Sequence, residues 1–176
     1  MAEGVDLLEL GEEGLYFDEP CPPEVETLIE QASRHYGQPA AEPSLLRAYF
    51  LAPEQLSVLV ALYRYYFYQH RMEDALIVAE RTLDVTARRL DLVDGWNSLG
   101  RVALGEAVMR SMGMLRFHLL ALKSSAVILL RLGRLDEARL RLVKITEVDE
   151  RDALGAAPLL ALIAMRQEQA AEMVSL

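Results

Sequence analysis

The chain has 176 residues, 52 % of them hydrophobic, one cysteine and a net charge of −9. That length suits one domain with a real core, while Cys21 alone excludes an intrachain disulfide framework or a thiol pair for structural zinc. The charge is uneven: residues 1–33 hold ten acidic side chains and no Lys or Arg, and the remainder carries 17 acidic and 18 basic residues. A nucleic-acid binder, which needs a dominant basic face, is disfavoured.

In chain order, residues 1–19 read as an acidic leader, flexible or docked, in which Val5, Leu7, Leu8, Leu10, Tyr16 and Phe17 interrupt the charge. A disordered tail would hold fewer such residues, and a signal peptide would start positive. Pro20-Cys21-Pro22-Pro23 is a stiff break that launches a helix. Val25, Leu28, Ile29, Ala32 and Tyr36 follow at helical spacing until Gly37-Gln38-Pro39. Pro43 opens a short helix, Ser44 to Leu51, and Pro53 starts another. Glu54–Gln69 and Glu73–Leu90 then form a hairpin split at His70-Arg71-Met72.

Asp94, a good N-cap residue, precedes a helix to roughly Arg110. Gly113 marks a break before Leu115–Leu132, and Gly133-Arg134 makes the next turn. Leu135–Val148 and a terminal helix within Ala153–Gln169 complete the chain, with Pro158 near the last helix's first turn. Nothing reads as a strand, so the expected class is all-α, with residues 20–176 as a single α-helical domain. The longest strongly apolar region, Leu119–Leu132, is broken by Lys123, Ser124, Ser125 and Arg131. It falls short of the roughly 20 residues of a membrane span. A cytoplasmic protein with no membrane partner is expected.

The segment LALKSSAVILLRLGRLDEARLRLVKITEVDE resembles a 34-residue tetratricopeptide repeat, two antiparallel helices whose small residues allow close crossing. With Ala138 in the second helix, Leu122, Ser125, Ala126 and Leu129 pack from the first, across the turn Gly133-Arg134-Leu135-Asp136-Glu137. Leu56–Arg89 fits the same register, with Tyr63 where the family prefers a small residue and His70 where it has Gly. Trp96, Leu99 and Gly100 match the family's Trp-x-x-Leu-Gly signature, but the next unit begins only 26 residues later. Either this middle unit lacks its regular second helix, or the Trp96 match is coincidence and Leu115–Leu132 serves as that helix. A break in phase near Met109–Met114 is expected. The resemblance covers residues 54–168. It implies tetratricopeptide-like hairpins in a right-handed superhelix, with extra N-terminal helices at one end and the last helix closing the other.

The run LYFDEPCPPEVETLIEQASRHYG, together with ALYRYYFYQHR and the acidic leader, resembles a second family. It is similar to nitrogenase-associated factor T, a small accessory protein of bacterial nitrogen-fixation gene clusters. That resemblance implies a nitrogenase component as partner, with the molybdenum-iron protein as the candidate.

Tetratricopeptide folds line their concave face with the first helix of each hairpin. On this chain the register projects Val60, Arg64, Phe67 and Tyr68, then Asn97, Arg101 and Leu104, then Lys123, Val127, Leu130 and Arg131. The partner-binding residues expected to matter most are Arg64, Phe67, Tyr68, Asn97, Arg101, Lys123, Val127 and Arg131. This basic, aromatic set suits an acidic, partly apolar segment of another protein. Tyr63 and Tyr66 read as core, whereas Phe67 and Tyr68 suit either groove or inter-helix packing. Val60 and Leu120 stand where the family's carboxylate clamp has Lys, so chaperone tails are not expected ligands. The acidic leader complements the groove and is an expected rival for it, within one molecule or between copies.

Chemistry leaves little trace. His35, His70 and His118 lack metal-ligand spacing, and no phosphate loop or nucleophile elbow is present. Gly95, Gly100 and Gly105 read as close-packing sites in a helix. No catalytic residue, metal or cofactor is expected. The leading function is non-enzymatic protein binding by an accessory factor. The alternatives are a secretion-type chaperone for an exported bacterial protein and a helical-bundle enzyme or cofactor binder.

Overall fold

The computed structural model describes residues 19–174. Residues 1–18 of the expected leader lie outside them. Seven α-helices follow one another: α1 Pro23–Arg34, α2 Ala41–Leu51, α3 Leu56–Tyr68, α4 Met72–Arg89, α5 Arg101–Arg131, α6 Leu135–Val148 and α7 Ala156–Val174. No strand occurs among the described residues, so the chain is all-α there. Each helix packs on its neighbours in sequence, and α1 also touches α3.

Close approach comes from alanines. Ala41, Ala48, Ala75, Ala79, Ala121, Ala126 and Ala138 are wholly buried, which lets helix axes come near enough for Leu59, Leu122, Ile128, Leu129, Leu142 and Ile145 to interlock. Burying each Leu or Ile contributes about 1.5–3 kcal/mol relative to exposure. Ion pairs stitch the outer edges: Arg47 to Glu24 ties α2 to α1, and Arg81 and Arg88 of α4 share Glu54. Glu19 does two jobs. Its carboxylate accepts the free amide of Leu56 at the start of α3 (3.0 Å) and pairs with Arg89 (2.7 Å).

The two long hairpins turn on the same joint. His70 (φ 58°) and Gly133 (φ 75°) take the left-handed conformation after α3 and α5. Their amides donate to Phe67 and Leu130, and the following Arg71 and Arg134 amides donate to Tyr66 and Leu129. These are paired Schellman bonds. Asp91 (φ 56°) ends α4 in the same way.

The middle of the chain departs from the sequence expectation. Trp96-x-x-Leu99-Gly100 is not in an α-helix: Gly95–Ser98 is a short 3-10 turn, and Gly100 is extended before α5 begins. Gly95 is left-handed (φ 59°), which stops an α-helix from running through the signature. Neither Gly95 nor Gly105 has a neighbour that an added β-carbon would meet, so neither is a close-packing site. The helix also runs on through Gly113. It breaks at Ser111 (φ −164°, ψ 107°), whose hydroxyl accepts the Met114 amide as the N-cap of α5's second half. That lies inside the expected Met109–Met114 break. The second half of α5 then pairs with α6, leaving 101–110 as a short inserted helix.

By length and composition, α5 is the one described helix able to cross a membrane, although its run Leu119–Leu132 by itself is too short. Within the fold 78 % of its apolar window is buried against other helices.

Candidate functional site

α3 is apolar nearly all round, because it is covered by α2, α4 and α1. Tyr63 is fully buried and stacks on Phe67 at 5.8 Å, and Phe67 itself is buried. Tyr68, one residue on, is 48 % exposed and meets Phe67 edge-on at 6.0 Å. Tyr36, beyond the end of α1, reaches Tyr68 edge-on at 5.9 Å. From the other side the Arg131 guanidinium, at the end of α5, lies 4.3 Å from the centre of the Phe67 ring. A cation over a ring at this range is attracted by the ring's negative face. Three hairpins therefore converge on one surface ladder, Tyr36–Tyr68–Phe67–Arg131.

One turn back along α3, Arg64 lines a cavity of about 260 Å³ between α1, α2 and α3, with Ile29, Ala32, Ser33, Tyr36, Leu45 and Ala61. Its Nε is buried with no hydrogen-bond partner among the described residues.

The remaining projected residues scatter. Lys123 is buried, its ammonium beside Gly155 of the α6–α7 loop, and Val127 is half-buried. Asn97 is exposed in the 3-10 turn, not on a first helix. Arg101 is exposed at the start of α5 and pairs with Glu150 (3.3 Å), just beyond the end of α6. Arg131 lies before α6 begins, so the length of α6, roughly 20 Å, stands between them. Arg64, Phe67, Tyr68 and Arg131 come together; Asn97 and Arg101 do not join them. Tyr36, Ile29 and Ser33 belong to the face although the projection omitted them. The available signal was the 33-residue step from Pro23 to Leu56, which matches a hairpin repeat.

Trp96 acts elsewhere. It covers Arg141 at 5.6 Å, and Arg141 is buried and paired with Glu80 of α4. Behind the hairpin turn, Glu42 of α2 accepts from Tyr66 (3.3 Å) and Arg71 (2.7 Å). Burial, reinforced by the Glu42 charge, pushes the Tyr66 hydroxyl up to about 12. His118 of α5 is buried against α4, with Nδ1 2.7 Å from Thr86 Oγ1 and Nε2 without a hydrogen-bond partner among the described residues. Burial brings its pKa down to about 4, so it is neutral at pH 7. Nothing in the spacing of His118 and Thr86 betrayed this contact. Among the described residues no three His, Cys, Asp or Glu side chains are grouped to hold a metal ion.

Fold and face together define an all-α protein of successive helical hairpins with an aromatic–arginine surface at one end of its first helices. No family model and no solved structure matches the chain. It is 43 % identical over 160 residues to the "uncharacterized 19.8 kDa protein in nifW 5'region" of Azotobacter chroococcum mcd 1, a match covering 91 % of this chain and 89 % of that one. The chain belongs to the family of that protein.

Proposed function

We propose that this protein is a non-enzymatic accessory factor of nitrogen fixation that binds a partner protein through the face built by α1, α3 and the second half of α5. In this reading the hairpins stack as a tetratricopeptide-like superhelix in a single cytoplasmic domain, and those three helices line its concave side. The observation that carries the binding role is the Tyr36–Tyr68–Phe67–Arg131 ladder. It combines exposed aromatic area with a guanidinium that lies over a ring and has no acid paired to it among the described residues. The nifW region in the relative's name supports the nitrogen-fixation context. The partner proposed is a nitrogenase component, the molybdenum-iron protein.

The test is titration of the purified molybdenum-iron protein with the full chain. Saturable binding is expected, weakened at least tenfold by Arg131→Glu or Tyr68→Ala. Binding that ignores both substitutions would move the contact to another face, and no binding at micromolar concentrations would remove this partner.

A further inference from the structure

The four arginines that are partly or largely buried among the described residues fall into two groups. Arg81, Arg89 and Arg141, each partly or largely buried, hold Glu54, Glu19 and Glu80. Arg81 and Arg141 leave one nitrogen each without a partner, but both keep a carboxylate on another nitrogen. Arg64 is half-buried too, yet it holds no acid among the described residues, and its Nε is buried with no partner. It also borders the cavity between α1, α2 and α3, whose other walls are mainly aliphatic. Ser33, the polar residue on the rim, already donates its hydroxyl to the Glu30 carbonyl (2.7 Å), so it is left to accept. Among the described residues no carboxylate lines the cavity. A cavity of about 150 Å³ takes a benzene ring, and this one measures about 260 Å³.

We infer that this cavity is an anchor subsite for a partner's acidic segment: it takes one large apolar side chain, while Arg64 holds a carboxylate beside that side chain. The inference rests on the reading of α1, α3 and α5 as the binding face, and it makes α1 part of that face rather than a cap. Charge complementarity selects the occupant. A cation with no acid paired to it among the described residues, beside apolar walls, recognises an acid next to a phenylalanine- or leucine-sized group. The site is not repeated. In the second hairpin the position equivalent to Arg64 is Val127.

The test uses the full chain and fluorescent peptides carrying Glu-Phe-Glu, with Lys-Phe-Lys and Glu-Ala-Glu controls, each with a free or an amidated C-terminus. Saturable binding is expected for Glu-Phe-Glu alone. Equal binding of the amidated form assigns the carboxylate to a side chain, and loss on amidation assigns it to a chain terminus; either agrees with the subsite. Arg64→Met, which keeps the stem and removes the charge, should weaken binding at least tenfold. Ala61→Phe should block the cavity, while Arg131→Met should have the smaller effect. Melting curves check that each variant is folded.

No binding by the wild type, or binding indifferent to both Arg64→Met and Ala61→Phe, overturns the inference. A synthetic peptide of residues 1–18 that binds more tightly than Glu-Phe-Glu would assign the cavity to the chain's own acidic segment and also overturn it. Capture of the molybdenum-iron protein that fails while Glu-Phe-Glu still binds through Arg64 removes the proposed partner and keeps the subsite. Capture that depends on Arg131 and Tyr68 but not on Arg64 does the reverse.

Discussion

The hairpins α3–α4 and α5–α6 are one joint built twice. Adding 63 to a residue number carries the first onto the second: His70 to Gly133, Arg71 to Arg134, Ala75 to Ala138. The two turns share their left-handed residue, their Schellman bonds and an arginine that reaches three residues forward, Arg71 to Asp74 and Arg134 to Glu137. What differs is the contents of the first helix. Tyr63, Arg64 and Tyr68 stand where the second hairpin has Ala126, Val127 and Arg131. The same backbone solution therefore carries an aromatic helix in one copy and a small-residue helix in the other. The joint specifies architecture, and the side chains between joints specify the surface.

The largest expected effect tests whether Tyr63 and Ala126 are matched to their places. Tyr63→Ala should cost about 3–5 kcal/mol in urea unfolding, the range for large aromatic truncations in a core. Ala126 is wholly buried, so Ala126→Tyr should leave little folded protein by circular dichroism. A loss under about 1 kcal/mol for Tyr63→Ala would mean the first helix is loosely packed and the comparison is superficial.

Next comes pH. His118 is held neutral by burial, with a pKa of about 4 against 6.5 for the free side chain. The unfolded chain therefore takes up a proton first, and stability falls as pH drops from about 6.5 towards 4. Between pH 7 and pH 5 this group should remove about 2 kcal/mol. His118→Leu should shrink the pH-dependent loss by that amount in paired denaturant titrations; an unchanged slope would refute the assignment.

Smaller effects compare the turns themselves. An added β-carbon on Gly133 meets nothing within 4 Å, so Gly133→Ala carries only conformational strain, about 1–2 kcal/mol. His70→Gly should gain up to about 1 kcal/mol in thermal or denaturant melts, because His70 already bears that strain. If the two substitutions shift stability in the same direction, the joints are not equivalent. Ser111→Ala, with no counterpart in α3–α4, should cost about 1 kcal/mol through the lost N-cap.

Much of this architecture was legible in the chain itself. Leu135–Val148 has the bounds that were read from the sequence, and α1, α3 and α4 begin or end within a few residues of theirs, since periodic apolar faces and Pro or Gly punctuation are local properties. The 3-10 turn at Trp96 was misread because a five-residue motif carries no information about the left-handed Gly95 that precedes it. The sequence leaves Phe67 and Tyr68 open between groove and packing. Phe67 turned out to be buried, while Tyr68 is exposed on its edge, a division made by the approach of Arg131 and Tyr36 from elsewhere in the chain.

The sequence by itself determined the helices, their order and the two repeated joints, because hydrophobic period, capping and left-handed turn residues act within a few positions. Only the tertiary structure decided the face. Tyr36, the Arg64 and Tyr68 of α3, and Arg131 come from three separate stretches of the chain, and their meeting depends on how three hairpins stack. The same packing left Arg64 half-buried beside a cavity that no described acid lines, sent Arg101 away to Glu150, and buried His118 against Thr86. Those outcomes depend on helix crossings, which are set by summed side-chain volumes across several elements and not by any local pattern.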